Sequence, residues 1–127
     1  MALHVEVVSP ERILWSGEAD MVVARTTDGE IAFLTDHAPF IGALGIGVVS
    51  ITPADGGARV VAAVHGGFVE VSENRVTVLS DVAELASDID VARAQTARDR
   101  AQQAGTDDDD AEAALRRATV RLEVASR

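Results

Sequence analysis

Hydrophobic and polar positions follow two different periods along the chain. At the start, Leu3, Val5 and Val7 alternate with His4 and Glu6, and a period of two is typical of half-buried β-strands. Short runs rich in Val, Ile and Thr continue to about residue 84, separated by turn signals. The further predicted strands are Met21–Thr27, Ile31–Leu34, Val48–Ile51, Arg59–Val64, Phe68–Val71 and Val76–Leu79, and the turn signals are Ser9-Pro10, Ser16-Gly17, Asp28-Gly29, Asp55-Gly56-Gly57, Gly66-Gly67 and Glu73-Asn74. This spacing predicts an antiparallel β-sandwich or flattened barrel.

The period becomes helical from Ser87 onward. Ser87 is predicted to cap a first helix, whose positive end is favoured by Asp88 and Asp90. The helix is expected to run to about Ala104, and Gly105 to end it in a left-handed conformation.

A second helix is predicted after a short link. Thr106 with Asp109 three residues later is an N-cap signature, and we interpret the acidic run Asp107–Asp110 as a solvated helix start rather than a calcium loop. The helix carries two apolar stripes, so it is expected to contact a neighbouring helix and a sheet together. The stripes are Ala111, Ala114, Leu115, Ala118, Leu122 and Ala125 on one side and Ala113, Val120 and Val124 on the other.

The two periods give an α+β chain with a β-sandwich in residues 1–84 and an antiparallel helical hairpin in residues 85–127. Small residues on the facing helical stripes allow close approach but bury little apolar area. We therefore expect the hairpin to be marginally stable by itself, so that a ligand or partner decides where it lies.

Composition narrows the function. The chain has 127 residues and a net charge of −10, which disfavours nonspecific binding to nucleic acid. It has no cysteine, which excludes disulfides and thiolate metal sites, and its three histidines show no metal-ligand spacing. Neither a signal peptide nor a transmembrane run is recognisable, so a cytoplasmic protein is expected, with membrane contact only through a partner. No nucleophile–base or carboxylate pair supports an enzyme.

The segment Ile89–Ala94 carries the most informative chemistry. Helical spacing places Asp90, Arg93, Ala97 and Arg100 on one side of the first helix. One acid and two guanidinium groups beside small residues are suited to an anion such as a phosphate. The chain has no Walker-type glycine-rich loop, so phosphate capture would rest on side chains.

Several short motifs carry a family resemblance through their order and spacing. They are Gly29-Glu30-Ile31-Ala32-Phe33-Leu34, His37-Ala38-Pro39, Gly66-Gly67-Phe68-Val69-Glu70-Val71, Asn74-Arg75-Val76-Thr77-Val78-Leu79 and Ile89-Asp90-x-x-Arg93-Ala94. Together they closely resemble the epsilon subunit of F-type ATP synthases, from Val5 to the second helix. The resemblance implies a ten-stranded β-sandwich followed by a helical hairpin.

The resemblance also implies a role and partners. Epsilon lies with the gamma subunit in the rotating central stalk, on the ring of c subunits, at the cytoplasmic face of the bacterial membrane. It couples proton flow to ATP synthesis without catalysing a reaction. Its hairpin can extend into the alpha/beta catalytic hexamer and inhibit ATP hydrolysis. In several bacterial members ATP, with or without Mg, binds the folded hairpin as a regulatory ligand and favours the retracted form.

Site residues follow from the same resemblance. The residues that match ATP contacts of the family are Glu84, Ile89, Asp90, Arg93, Ala94, Arg100, Arg117 and Arg121, the last two more loosely. Asp90 or Glu84 would accept hydrogen bonds from adenine or ribose, and the arginines would hold phosphates. In the alternative interpretation Asp90 only caps a helix, while Arg93 and Arg100 form surface ion pairs worth ~0–1 kcal/mol each.

Two further residues are predicted to face partners. The resemblance places the loop of His37, with Glu30, at the bottom of the sandwich near the c-ring and gamma. The alternative for His37 is a satisfied histidine in a turn fixed by Pro39. Trp15 is interpreted as a packing residue at the sandwich edge, and Gly66-Gly67 as a turn or bulge.

Three functions compete at this point. The first is a regulatory rotor subunit whose hairpin senses ATP. The second is a purely structural stalk adaptor without nucleotide sensing. The third is a free small-molecule-binding sandwich with a helical appendage, which does not account for the ordered motifs.

Overall fold

The computed structural model describes residues 2–105 and 109–126. Within these ranges the chain forms nine strands, one 3₁₀ turn (Ala86–Asp88) and two helices, which confirms the α+β class. The strands are β1 Leu3–Val8, β2 Ile13–Thr26, β3 Gly29–Leu34, β4 Phe40–Ala43, β5 Ile46–Pro53, β6 Val60–His65, β7 Phe68–Ser72, β8 Arg75–Leu79 and β9 Ala83–Leu85, and the helices are α1 Val91–Ala104 and α2 Asp109–Ala125. Nine strands are described where the resemblance implies ten.

One continuous sheet folds over itself to form the sandwich. Its strand order is β4-β7-β8-β1-β2-β5-β6-β9, with β3 added beside β2. The pairing of β1 with β8 is parallel, whereas the other strand pairs are antiparallel as predicted. The sequence pattern did not indicate this single parallel pair, because alternation along a strand carries no information about the direction of its neighbour.

The fourteen-residue strand β2 joins the two layers. Its first half pairs with β1, its second half pairs with β3 and β5, and the β5 pairing shifts in register between Ala19 and Met21. The predicted turn at Ser16-Gly17 is wrong, because both residues lie inside β2. Gly17 serves close packing instead: a Cβ there would lie 2.9 Å from the Trp15 ring, which itself packs against the core.

The core between the layers consists of aliphatic side chains. The alternating residues Leu3, Val5 and Val7 are fully buried, as their period predicts. Phe33 is the largest fully buried side chain, and valines make up most of the rest. Burying each such side chain contributes about 1.5–3 kcal/mol, so many small contributions replace the few large aromatic ones of a typical core.

The start of α1 differs from the prediction. Asp90, not Ser87, is the N-cap: its carboxylate Oδ1 accepts a hydrogen bond from the backbone N–H of Arg93 at 3.1 Å. Ser87 lies in the preceding 3₁₀ turn. The predicted end of α1 at Ala104 is confirmed. Gly105 follows with a positive φ of 84°, but its ψ of 174° is extended, so the predicted left-handed cap conformation is wrong. The predicted second cap at Thr106 lies outside the described residues, as do Asp107 and Asp108.

The hairpin packs on the sandwich through α2. Val124 is fully buried in a cluster with Val61 and Ala63 of β6, with Val120 packed beside it. On another face of α2, Ala111 and Ala118 are buried, as are Ala94 and Ala101 on α1. The two predicted stripes of α2 thus contact a helix and a sheet, as expected.

No helix within residues 2–105 and 109–126 combines the length and the apolar character needed to span a bilayer.

Candidate functional site

A pocket of about 340 Å³ lies where the sandwich meets the helical hairpin. Strand β9, the 3₁₀ turn and both helices contribute to its wall, so it exists only while the hairpin is folded and docked. Its volume lies at the lower end of the range for small-molecule sites. The lining residues are Glu84, Asp88, Asp90, Arg93, Ala94, Ala97 and Arg121.

Strand β9 places Glu84 in this pocket. The strand pairs antiparallel with β6, with Glu84 opposite Ala63. Ala63 belongs to the small cluster under the hairpin, so the same face of the sheet carries Glu84 towards α2. This strand pairing brings Glu84 beside Arg121, which lies 37 residues later in the chain.

Helical spacing accounts for the α1 side of the pocket only in part. Asp90, Arg93 and Ala97 line it together, as their spacing predicts, and Ala94, which the family motif named, lines it as well. Arg100, one turn beyond Ala97, is exposed and does not line it. The pocket therefore receives one guanidinium group from α1 rather than two.

The second guanidinium group comes from α2. Arg121 Nε donates to Glu84 Oε1 at 2.6 Å, and about a quarter of each side chain is exposed. The same carboxylate oxygen lies 3.3 Å from His65 Nε2 at the end of β6. Arg117, one turn before Arg121, does not line the pocket, and its charge acts on His65 instead.

His65 is the most buried titratable side chain at this interface, with 3% of it exposed. Burial lowers the pKa of His65, and the Arg121 guanidinium lowers it further, while Glu84 opposes both effects and Arg117 adds a smaller lowering. The neutral imidazole is therefore the form that the docked hairpin favours.

Ile89 has a packing role in this geometry. It is half-buried against the cluster of Val61, Ala63 and Val124 under the hairpin, rather than in the pocket wall. An apolar residue at this position fixes the chain just before the Asp90 cap, which sets the direction of α1.

Sequence patterns missed one pocket residue and two neighbours of the pocket. Asp88 lines the pocket, although its only predicted role was near the helix start. Arg12, from the β1–β2 connection, lies 3.5 Å from Asp88 as an exposed ion pair. His65 had one signal, its position after an apolar run, but no sequence pattern places β6 beside β9.

Charges in the pocket nearly balance. The carboxylates of Glu84, Asp88 and Asp90 share it with the guanidinium groups of Arg93 and Arg121. Donors for phosphate oxygens and acceptors for amino or hydroxyl groups are thus both present. Because Glu84 already engages Arg121, a phosphate would have to share or replace that partner.

Glu30 and His37, predicted to face partners, lie towards opposite ends of β3: Glu30 is the second residue of the strand, and His37 lies in the loop that follows it. Glu30 is cross-strand from Arg25 of β2 and lines a separate groove of about 450 Å³ beside α2. The His37 ring packs edge-on against Phe33 at 5.0 Å and Phe40 at 6.4 Å, and its Nδ1 lies 2.7 Å from the Ala38 carbonyl oxygen. The structure does not bring the two residues into one site.

An apolar row crosses the outer face of the sandwich. Consecutive cross-strand pairs join its members, so they point to the same side. The row consists of Ala43, Phe68, Leu79, Val8 and Ile13. Phe68 is 57% exposed and Ile13 58%, and Ile41, which is 70% exposed, lies on the same side of β4. Clustered exposed apolar side chains of this kind mark protein contacts more often than isolated ones do.

Comparison with known proteins assigns the chain to a protein family. Residues 2–86 match the family described as "ATP synthase, Delta/Epsilon chain, beta-sandwich domain". A curated ATP synthase epsilon chain of Streptomyces griseus is 49% identical over 94% of this chain and 92% of its own length. The chain belongs to the ATP synthase epsilon-chain family. Another epsilon chain, of Halalkalibacterium halodurans, is 46% identical over 98% of both chains.

The epsilon-chain fold is also found in solved assemblies. A chain in the structure of the Euglena gracilis mitochondrial ATP synthase (OSCP/F1/c-ring) superposes with a TM-score of 0.83 over 99% of this chain and 82% of its own, at 20% identity. A chain in the Tetrahymena thermophila mitochondrial ATP synthase structure (central stalk/c-ring) gives a TM-score of 0.60 at 12% identity. At these identities the likeness concerns the fold.

Proposed function

We propose that this epsilon-family chain is a non-catalytic rotor subunit of a bacterial proton-translocating F-type ATP synthase. In this proposal it belongs to the central stalk at the cytoplasmic face of the membrane, and it helps to couple proton flow to ATP synthesis. The family membership supports it, as do the assemblies named for the two structural neighbours. A close-packed sandwich with continuous strand pairing is suited to a part that carries torque.

The apolar row is the proposed contact with gamma. Its exposed side chains are supplied by five neighbouring strands, so the surface is held rigid by backbone hydrogen bonds rather than by loops. Phe68 and Leu79 are cross-strand neighbours in the middle of the row and would be covered first by a partner. The c-ring contact remains a proposal based on Glu30 and His37, which face different surfaces.

The hairpin is the proposed regulatory arm. The single observation that carries this proposal is the pocket itself, which is walled by β9 and by both helices. A ligand that fills it binds the docked hairpin and not the extended one, so it shifts the equilibrium by its full difference in affinity. ATP in the pocket would keep the hairpin docked on the sandwich. Loss of ATP would allow the hairpin to extend to the alpha/beta hexamer and inhibit ATP hydrolysis.

The side chains fit the parts of a nucleotide. Arg93 of α1 and Arg121 of α2 both line the pocket and would hold phosphate oxygens through charge-assisted hydrogen bonds. Asp90 or Glu84 would accept from the adenine amino group or the ribose hydroxyls. Mg, if present, would neutralise part of the phosphate charge beside the three carboxylates.

Calorimetric titration of the full chain with ATP, with and without Mg, tests nucleotide sensing. Binding is expected, with an affinity that Arg93→Gln lowers at least tenfold while Arg98→Gln does not. Arg98 is the matched control, because it lies on the same helix, outside the pocket, paired with Asp99. Absence of heat at millimolar ATP would eliminate the sensing role.

The structural adaptor remains the second candidate, and two observations favour it. Asp90 already caps α1, and Glu84 already pairs with Arg121, so these groups have partners without a nucleotide. If the adaptor is correct, the chain binds gamma but its hairpin does not respond to ATP.

A further inference from the structure

His65, Glu84 and Arg121 form a continuous polar chain between the sandwich and the hairpin. His65 lies at the end of β6, Glu84 on β9 and Arg121 on α2. A single carboxylate oxygen, Glu84 Oε1, is 3.3 Å from His65 Nε2 and 2.6 Å from Arg121 Nε. The strand-to-helix contact thus depends on where this one oxygen is held.

The two donors that share the Glu84 oxygen determine which tautomer the His65 imidazole adopts. Arg121 can only donate, so the carboxylate oxygen must accept from it. For His65 Nε2 to interact favourably with the same oxygen, Nε2 must carry the hydrogen. The neutral ring then has its lone pair on Nδ1, which is buried and has no hydrogen-bond partner among the described residues.

Protonation of His65 would change both its hydrogen bonding and its electrostatic interactions. A second N–H on the buried Nδ1 would have nothing to donate to, and an unpaired buried donor costs about 1–3 kcal/mol. The positive ring would also lie beside two arginines. Among the described residues the charged groups that act on His65 are Glu84 on β9 and both Arg121 and Arg117 on α2, so one anion faces two cations.

We propose that His65 is a positioning residue for the docked hairpin: its neutral ring holds the Glu84 carboxylate towards Arg121, and protonation of the ring weakens the hold of the sandwich on α2. The inference concerns docking alone and does not require that nucleotide binds. Its consequence for regulation rests on the proposed function, in which acidification would free the arm.

The direction of the pH effect follows from linkage. The pKa of His65 lies below 6.5 in the docked state. Arg121 and Arg117, two of the groups that lower it, leave with the hairpin, so the pKa is expected to rise on undocking. At a pH well above 6.5 the ring is neutral in both states and docking is at full strength. As the pH falls below 6.5 the undocked form takes up the proton first, so docking weakens until the pH passes the lower docked value.

Two site-specific labels report on docking in the full chain. The chain contains no cysteine, so Ala58→Cys in the β5–β6 loop and Gln103→Cys near the end of α1 provide the only attachment points. Distance distributions between the labels, measured without nucleotide from pH 8 to 5.5, give the ratio of docked to undocked hairpin. In the parent chain this ratio is expected to fall on acidification, up to about tenfold for each unit by which docking lowers the pKa.

Substitutions of His65 separate positioning from packing. His65→Gln keeps an N–H donor for Glu84 and cannot titrate, so docking is expected to persist and to become independent of pH in this range. His65→Val keeps a buried side chain but no donor, so it is expected to dock more weakly at every pH. Nitrogen NMR of the full chain without the two cysteine-attached labels, at pH 8, should show His65 with its proton on Nε2.

Three results would overturn the proposal. They are docking that does not change with pH in the parent chain, the same pH profile in His65→Gln, and a proton on Nδ1 rather than Nε2. Because no nucleotide is present, these results are independent of the ATP titration, and either proposal can fail while the other stands.

Discussion

Glu84 and Arg121 meet across the boundary between strand and helix, with 2.6 Å between Oε1 and Nε. Each side chain is about one quarter exposed, which leaves the pair only partly screened by water. The contact links the last strand of the sandwich to the second helix, whose apolar contacts with the sheet are few and small. It also lies in the wall of the proposed nucleotide pocket.

The Glu84–Arg121 pair is expected to stabilise the docked hairpin. A double-mutant cycle with Glu84→Gln and Arg121→Gln should give a coupling energy of about 1–2 kcal/mol, between the values for exposed and buried pairs. Chemical denaturation of the four variants measures it. The matched control is the more exposed Arg98–Asp99 pair on α1, for which a coupling below about 0.5 kcal/mol is expected. Equal couplings for both pairs would contradict the assigned role.

Asp90 is expected to serve two separable purposes. Asp90→Ala removes the N-cap of α1 and should destabilise the chain by about 0.5–2 kcal/mol, whereas Asp90→Ser keeps a capping oxygen and should cost less. Both variants remove the carboxylate from the pocket. Loss of ATP binding in Asp90→Ser with helicity intact, measured by calorimetry and circular dichroism, would assign the carboxylate to the ligand. Unchanged affinity would limit Asp90 to capping.

The apolar row is expected to determine binding to gamma. Phe68→Ser removes an exposed ring at its centre and should reduce co-purification with gamma at least tenfold, with little effect on folding because the ring is already 57% exposed. Val91→Ser, at an exposed apolar position on α1 away from the row, is the control. Retention of gamma by the Phe68 variant would require a different contact surface.

Gly67 is expected to tolerate no side chain. Its φ is 112°, and a Cβ there would lie 2.1 Å from the carbonyl oxygen of Leu79, so Gly67→Ala should cost about 2–4 kcal/mol. Gly56 also has a positive φ, 79°, but has no heavy atom within 4 Å of the added Cβ. Gly56→Ala should therefore cost only about 1–2 kcal/mol from backbone strain. Thermal or chemical denaturation compares the two, and similar losses would show that the close approach is relieved by movement.

Local patterns succeeded where a single element determines the result. Leu3, Val5 and Val7 alternate because one side of β1 faces the core, and this requires no knowledge of its neighbours. Gly105 ends α1 because glycine readily adopts the positive φ found there, although its ψ of 174° is extended and not that of the predicted left-handed cap. The segment containing Ser16 and Gly17 was misread because a glycine under an aromatic ring and a glycine in a turn look alike in sequence.

Local sequence patterns could not predict the shortest strand or contacts between residues far apart in the chain. Strand β9 has three residues, too few to show a period, yet it is the strand that places Glu84 in the pocket. The start of α1 was misplaced by three residues, because Ser87 and Asp90 are both suitable caps and the preceding 3₁₀ turn decided between them.

The sequence by itself determined the two halves, the aliphatic core, the helical hairpin and the positions of Asp90, Arg93 and Ala97 on one side of α1, because periods of 2 and 3.6 are properties of local backbone geometry. The family motifs likewise depended only on order and spacing. The tertiary structure decided which arginines share the pocket, excluding Arg100 and Arg117 from its wall, and it brought Glu84 and His65 to Arg121. Such contacts depend on strand pairing and helix docking between residues far apart in the chain, which no local period encodes.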